Sequence, residues 1–546
     1  MADDHGATAS NISDLSPASE NPWYVLATVY GEQHSDKIDH DLHKKNMRIW
    51  NAWSCRGMDQ DIKKTLLNST QKDRYVERFT KNDKEDIENA FRNRLLSTDI
   101  IPINTEVIHF SDSIFHKNLN MSGFIITQDI IFDRSRFCKE FNLNNSFIYS
   151  PISLDHCVFD GDSRFDGVYV GDNAEIRGAT YKAQCRFVGT IFNFGLDVSD
   201  SKFYGSLRLD HAEIRKESEF VDAILGANSS FFRTRFKDTA NFMNSTFSGA
   251  VQFCETIFDK DTFFLESTHH GSTNFVDVIF HGVTSFDGSV FYKRLAISYS
   301  KFENDLSFVG SRFDGIFKFT SVRLSGISNF KQCSFGNFAL ITSCIFHNQA
   351  NFSDATFHNY FPDFDGTSIH SSTTFSASDI CWPSIKTKPS LSSIESVGKI
   401  RHAIANQGLP EEEHYFFRKE MSFRARRGKF WDRLPYRAFE LLSNFGHSIQ
   451  LPLYWLLTLW CLFSIAYKAI LLPNGMRETA DLDLLVPLGL SLANTFFLFG
   501  SYRFIPDGLF EQASAWLTTL SALQIGISFI LLFCLGLALR NRFRLR

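Results

Sequence analysis

The stretch FMNSTFSGAVQFCETIFDKDTFF, residues 242–264, decides the fold. Within it Phe242, Phe247, Phe253, Phe258 and Phe264 are separated by steps of five and six in alternation. The alternation continues without slipping through Phe275, Phe280, Phe286 and Phe291 to Phe357, and back to Phe110. It defines 46 positions, of which 30 are Phe and all but His269 are apolar. A one-residue insertion near Pro362 breaks the frame, which resumes at Phe364, Ile369, Phe375 and Ile380.

The slot two residues before each of these positions is also restricted. From Cys157 on it holds mostly small residues, as in Ala240, Ser245, Val251, Thr256 and Thr262. Two inward positions separated by one outward position have the period of a β-strand. Asp, Asn, Gly, Ser and Lys fill the intervals, and these residues suit turns and tolerate positive φ. Each unit therefore reads as a very short strand plus a corner. The 3.6-residue period of an amphipathic helix is absent.

This pattern resembles the pentapeptide-repeat family, in which a central Phe or Leu and a small residue two before it both face inward. The resemblance implies a mainly β fold, a right-handed quadrilateral β-helix in which four units make one coil. Here the steps alternate between five and six, so a coil takes about 22 residues and residues 110–380 hold about 12 coils. At about 4.8 Å per strand layer the solenoid is roughly 60 Å long. Stacked Phe rings bury apolar area and fix neighbouring coils. A solenoid lacks long-range contacts, so its ends need caps.

The polar rung His269 lies in THHGS with His270. It reads either as a metal or acid–base site, or as a weakened rung satisfied by backbone groups. No carboxylate or Cys stands at ligand spacing nearby, so the second reading is adopted. Four of the ten Cys (Cys157, Cys185, Cys333 and Cys344) occupy the small slot, and no CxxC pair exists. Buried free thiols in a reducing compartment account for them better than disulfides or zinc.

The net charge of −5 argues against nucleic acid as a partner by bulk electrostatics. Residues 105–380 carry 32 acids and 23 bases. The resemblance brings one further reading, a DNA-mimic rod that binds a topoisomerase. The bases Lys202, Arg208, Arg215, Lys216, Arg233 and Arg235 interrupt the acids, so an ordinary solvated surface is preferred.

Ahead of the repeat, residues 1–20 are polar and acidic and are expected to be a disordered tail. They lack a basic and an apolar signal region, so the start of the chain is expected in the cytoplasm. Residues 21–104 read as an α-rich cap. They include NPWYVLATVYGEQHSDKIDHDLHKKNMRIWNAW (21–53) and a helix over 71–98. Asp39, His40, Asp41 and His43 stand close together as a metal set would, but Lys44 and Lys45 follow, and an exposed polar helix face is the reading adopted.

The solenoid is assigned to 105–382, a linker to 383–393 and a basic helical segment to 394–446, with helices over 394–408 and 410–427. Arg424, Arg426, Arg427, Lys429, Arg433 and Arg437 belong to a basic run just ahead of an apolar segment. That position suits anionic lipid headgroups better than nucleic acid. Residues 447–546 form a membrane module. LPLYWLLTLWCLFSIAYKAILL (451–472) and AWLTTLSALQIGISFILLFCLGLAL (515–539) are each long enough to span a bilayer. Bases precede the first span and follow the second, so both ends are placed in the cytoplasm by the positive-inside rule.

Between the spans, LLVPLGLSLANTFFLFG (484–500) reads as a re-entrant or interfacial half-helix. Span, half-helix and span resemble the layout of two-span potassium-channel pores, whose TVGYG filter is missing here. Ser491, Asn494, Thr495 and Gln524 either line a pore or hold helices together; the second is preferred. No catalytic motif and no cofactor or metal site is expected. The expected function is a non-enzymatic, bacterial inner-membrane protein whose cytoplasmic solenoid scaffolds an unidentified protein partner. A homo-oligomeric channel gated by the solenoid is the alternative.

Overall fold

The computed structural model describes residues 15–33, 38–56, 61–62, 81–94, 101–383, 391–471, 482–497 and 515–543. The chain divides into two compact units, residues 1–384 with 402–410 and residues 385–401 with 411–546.

The first unit is a parallel β-solenoid of about 12 coils with helices on its N-terminal side. Its strands, most of them two residues long, stack into four parallel sheets of 13, 13, 11 and 11 strands. Register partners lie one coil apart, as in Val251↔Thr273 and Thr262↔Thr284. After the insertion the offset is longer by one, as in Phe352↔Phe375 and Leu340↔Asp363. All 46 ladder side chains are at most 4% exposed. Successive rings stack face to face; Phe242 and Phe264 lie 4.7 Å apart at 4°.

The five- and six-residue steps have different backbones. Every eleventh residue from Asp112 to Asp354 has positive φ, and it always falls within a five-residue step. A turn bond accompanies it, as from Ser245 N to Phe242 O at 3.3 Å. Positive φ at the third turn position is the signature of a type II turn. Among the six-residue steps only Asn228 has positive φ. The small slot after each turn has its own reason. Where it carries a hydroxyl or thiol, that group donates in many coils to the ladder carbonyl of the previous coil, as Ser135 to Phe110, Thr256 to Phe231 and Cys333 to Phe308, at 2.7, 2.7 and 2.9 Å. Ala179, Ala212 and Ala223 fill the same slot without that bond, so small volume is what these coils share, and the extra bond is added where the residue has a donor.

The ladder ends differently from the sequence expectation. Ile380 is 88% exposed, because a turn closed by Cys381 N to Ser378 O carries it outward. Trp382 stacks on Phe357 in its place, at 5.1 Å, and its indole donates to Ser376 O. Gln407 Nε2 donates to Ser371 O and Thr373 O on the same last coil.

At the other end, helices Pro22–Ala27 (α1), His40–Ser54 (α2) and Lys81–Arg94 (α3) form the cap. Asn21 caps α1 with Pro22 at its first position, a placement that the missing proline N–H permits. The indole of Trp50 donates to Ile125 O, while Asn51 accepts from Ile125 N and donates to Gly123 O. These two residues satisfy backbone groups that an uncapped first coil would leave open. Of the tail expected to be disordered, Ser16–Pro17 instead pair with Ser113–Ile114 on a sheet edge; residues 1–14 lie outside the described residues. So do residues 71–80 and 95–98 of the expected second helix.

The helix Leu391–Asn406 (α4) crosses the division between the units. The second unit continues with Pro410–Arg426 (α5), Phe430–Ser443 (α6), Gln450–Leu471 (α7), Leu482–Thr495 (α8) and Ala515–Arg542 (α9). Helices α7 and α9 are long and apolar enough to cross a membrane. Helix α8, at 14 residues, is shorter than a span requires. The three pack against one another, and α6 packs on α7 and α9.

Candidate functional site

Ser491, Asn494 and Thr495 lie three and four residues apart, which puts them on one face of α8. That face meets Gln524 of α9 and Tyr467 of α7. Gln524 Nε2 donates to Ser491 O, Ser491 Oγ and Thr495 Oγ1 at 3.0, 2.9 and 3.0 Å. Its Oε1 accepts from the Tyr467 hydroxyl at 2.6 Å. Asn494 Nδ2 donates to Tyr467 Oη and to Ser521 Oγ. Ser491 Oγ donates to Trp460 O, and the Trp460 indole donates to Leu488 O. Tyr467, Ser491, Asn494, Thr495 and Gln524 are wholly buried. Beside them Tyr467, Leu490 and Leu517 form an apolar cluster with Phe463, Ile470, Val486 and Leu520 packed against it.

All four sequence-derived polar residues thus come together, with the amide of Gln524 at the centre. Tyr467, Ser521 and Trp460 were missed. Ser521 had a signal, three residues before Gln524; Tyr467 and Trp460 looked like ordinary aromatics of an apolar helix. The cluster is composed of amides, hydroxyls and carbonyls that bond to one another, and it joins three helices. In a membrane such bonds average about 0.6 kcal/mol each, with a maximum near ~1.7 kcal/mol.

The basic run divides into two groups. Arg424 pairs with Glu420 at 2.8 Å, and Arg401 holds the other oxygen of that buried carboxylate. Arg426 bonds Ser422 and lies 3.5 Å from Glu440; Arg433 Nε donates to Ala425 O. Arg427, Lys429 and Arg437 have no ion pair among the described residues and stand at the surface, Arg427 partly covered.

On the solenoid, His269 is completely buried between Phe247 and Phe291, 4.4 and 4.3 Å away. Its ring nitrogens meet Ser267 Oγ at 3.0 Å and Thr273 Oγ1 at 2.8 Å, so side-chain hydroxyls, not backbone groups, satisfy it. Burial, and secondarily His270, pushes its pKa from 6.5 down to about 3. It is a neutral rung. The four slot cysteines are free and buried; burial lifts the Cys344 thiol to about 11.

In the cap, Asp39 accepts the N–H groups of Asp41 and Leu42 as an N-cap. His43 Nε2 lies 2.9 Å from Ser122 O. Among the described residues, no three His, Cys, Asp or Glu are grouped to hold a metal. Many solenoid charges pair between neighbouring coils, as Arg134–Asp112, Arg233–Glu255 and Arg235–Asp259 at 2.6, 2.7 and 2.8 Å. A shallow acidic groove of about 480 Å³ lies along Glu175, Asp197, Glu217, Glu219 and Asp238. In comparisons with known proteins, no family model, no curated protein and no solved structure matches this chain.

Proposed function

We propose that this chain is a non-enzymatic membrane protein of the pentapeptide-repeat type that presents its solenoid as a protein-binding scaffold. The observation that carries the reading is the joining, in one chain, of an uninterrupted solenoid and two helices of membrane-crossing length. A solenoid offers a long rigid surface at low sequence cost, which suits binding. The basic residues that flank the helical pair favour both termini and the solenoid on the cytoplasmic side; a bacterial inner membrane enters only with the pentapeptide-repeat reading. The interleaved coil-to-coil ion pairs favour a protein partner over a DNA-mimic role.

A homo-oligomeric pore is the second reading. The short helix α8 between two long ones favours it. Against it stands the closure of Ser491, Asn494, Thr495 and Gln524 on one another, which leaves α8 few polar side chains for a water-filled path. The test is two-fold: alkaline extraction of cell membranes, then ion flux in proteoliposomes of the purified chain. Retention in the membrane with no flux supports the scaffold. Release into the soluble fraction overturns the anchor, and selective flux establishes the pore.

A further inference from the structure

Helix α6 leaves large apolar side chains uncovered. Phe430, Trp431, Leu434 and Leu441 are 65, 77, 43 and 62% exposed. Phe430, Leu434 and Leu441 follow helical spacing, and Trp431 borders them, so they make one stripe. The opposite side is engaged: Phe439 packs on Phe445 at 5.7 Å, and Glu440 faces Arg426.

The surroundings indicate what covers the stripe. The Trp455 indole donates to Leu441 O, which ties the end of α6 to the first turns of α7. Asn541 donates to Gly446 O, which ties the turn after α6 to the last turn of α9. Helix α6 therefore stands where one long apolar helix begins and the other ends. Lys429, Arg433 and Arg437 lie on it, and Arg540 and Arg542 lie at the same end of α9. The outward apolar side chains of α7 and α9, such as Leu453, Leu457, Phe529 and Phe533, are exposed in the same way.

We propose that α6 is an in-plane membrane anchor, with Phe430, Trp431, Leu434 and Leu441 immersed among acyl chains and its bases at the headgroups. Amphipathic helices with immersed aromatic and Leu side chains lie in the interface in this manner, and Arg433 and Arg437, which border the stripe by helical spacing, reach the headgroups by extending their stems along it. Trp prefers that depth. The inference rests on the membrane reading of α7 and α9 and adds a third lipid contact to it.

The test uses the full chain reconstituted in anionic vesicles whose lipids carry bromine either near the headgroup or near the chain end. The emission of Trp431 is obtained as the difference between wild type and Trp431→Phe. That of Trp516, at the first turn of α9, is obtained with Trp516→Phe. The expected result is that both are quenched, and that Trp431 is quenched more strongly by the shallow bromines. Quenching of Trp516 with no quenching of Trp431 by either lipid overturns the α6 anchor alone. Protein that fails to float with the vesicles overturns the membrane reading and this inference together.

Discussion

A neutral imidazole sits at 269 among 45 apolar rungs, and its cost depends on pH. The unfolded chain binds a proton at His269 below about pH 6.5, while the folded chain resists it down to about 3. Stability is then fully present above pH 6.5 and declines as pH falls through that window. The expected outcome is a denaturation midpoint that drops between about pH 7 and about pH 5, and drops less in His269→Phe. Equal drops in both proteins would remove the account of His269. A second residue-scale expectation concerns the slot. Thr256→Val keeps the shape but loses the bond to Phe231 O, at a cost of about 1 kcal/mol in chemical denaturation. The ladder position of His269 was legible in the sequence because the alternating five and six steps carry it. Its partners Ser267 and Thr273 occupy the inward slot before rungs 269 and 275, so their direction was legible too; that their hydroxyls and not backbone groups meet the imidazole was not.

The elements differ in how much they revealed. The strands were legible because the double step of five and six repeats without a gap. The turn type was only half legible. Gly, Asn or Asp fills just over half of the positive-φ turn positions, while Arg134, Glu266 and Tyr299 hold the same conformation and give no local signal. The terminal rung misled: Ile380 keeps the frame, but Trp382 supplies a larger ring to close the stack. In a one-dimensional stack, losing a cap frees the nearest coils first. Trp382→Ala is expected to abolish slow hydrogen exchange around Phe352 and Phe375 and to leave Phe231 to Phe264 protected. Uniform loss along the solenoid would contradict that. Among the helices, Gln524 bonds two others, so Gln524→Leu removes several bonds. The expected effect is a loss of about 1–3 kcal/mol in detergent unfolding of the membrane unit. No loss would mean that the amide is not the centre of that cluster. The face of Ser491, Asn494 and Thr495 was legible from spacing alone, and Tyr467 was not, since a tyrosine in an apolar helix equally suits a bilayer edge.

For the whole molecule, the solenoid, its N-terminal cap and the two long apolar helices were visible in composition and period. The identity of the proposed partner was not, because acids and bases are interleaved along the outer surface and no repeated motif there singles out one ligand. The coil of two five-residue and two six-residue steps repeats unbroken from Phe110 to Phe357. Arg164, Gln252 and Leu340 occupy one outward column, linked by successive register partners. Gln252 stands four coils from Arg164, and Leu340 eight. Spin labels introduced pairwise at these sites in the full-length protein, measured by pulsed electron paramagnetic resonance, give the distances directly. The expected distances are about 19 Å from 164 to 252 and about 38 Å from 164 to 340, a proportional increase of ~4.8 Å per coil. A second distance that is not close to twice the first would contradict it.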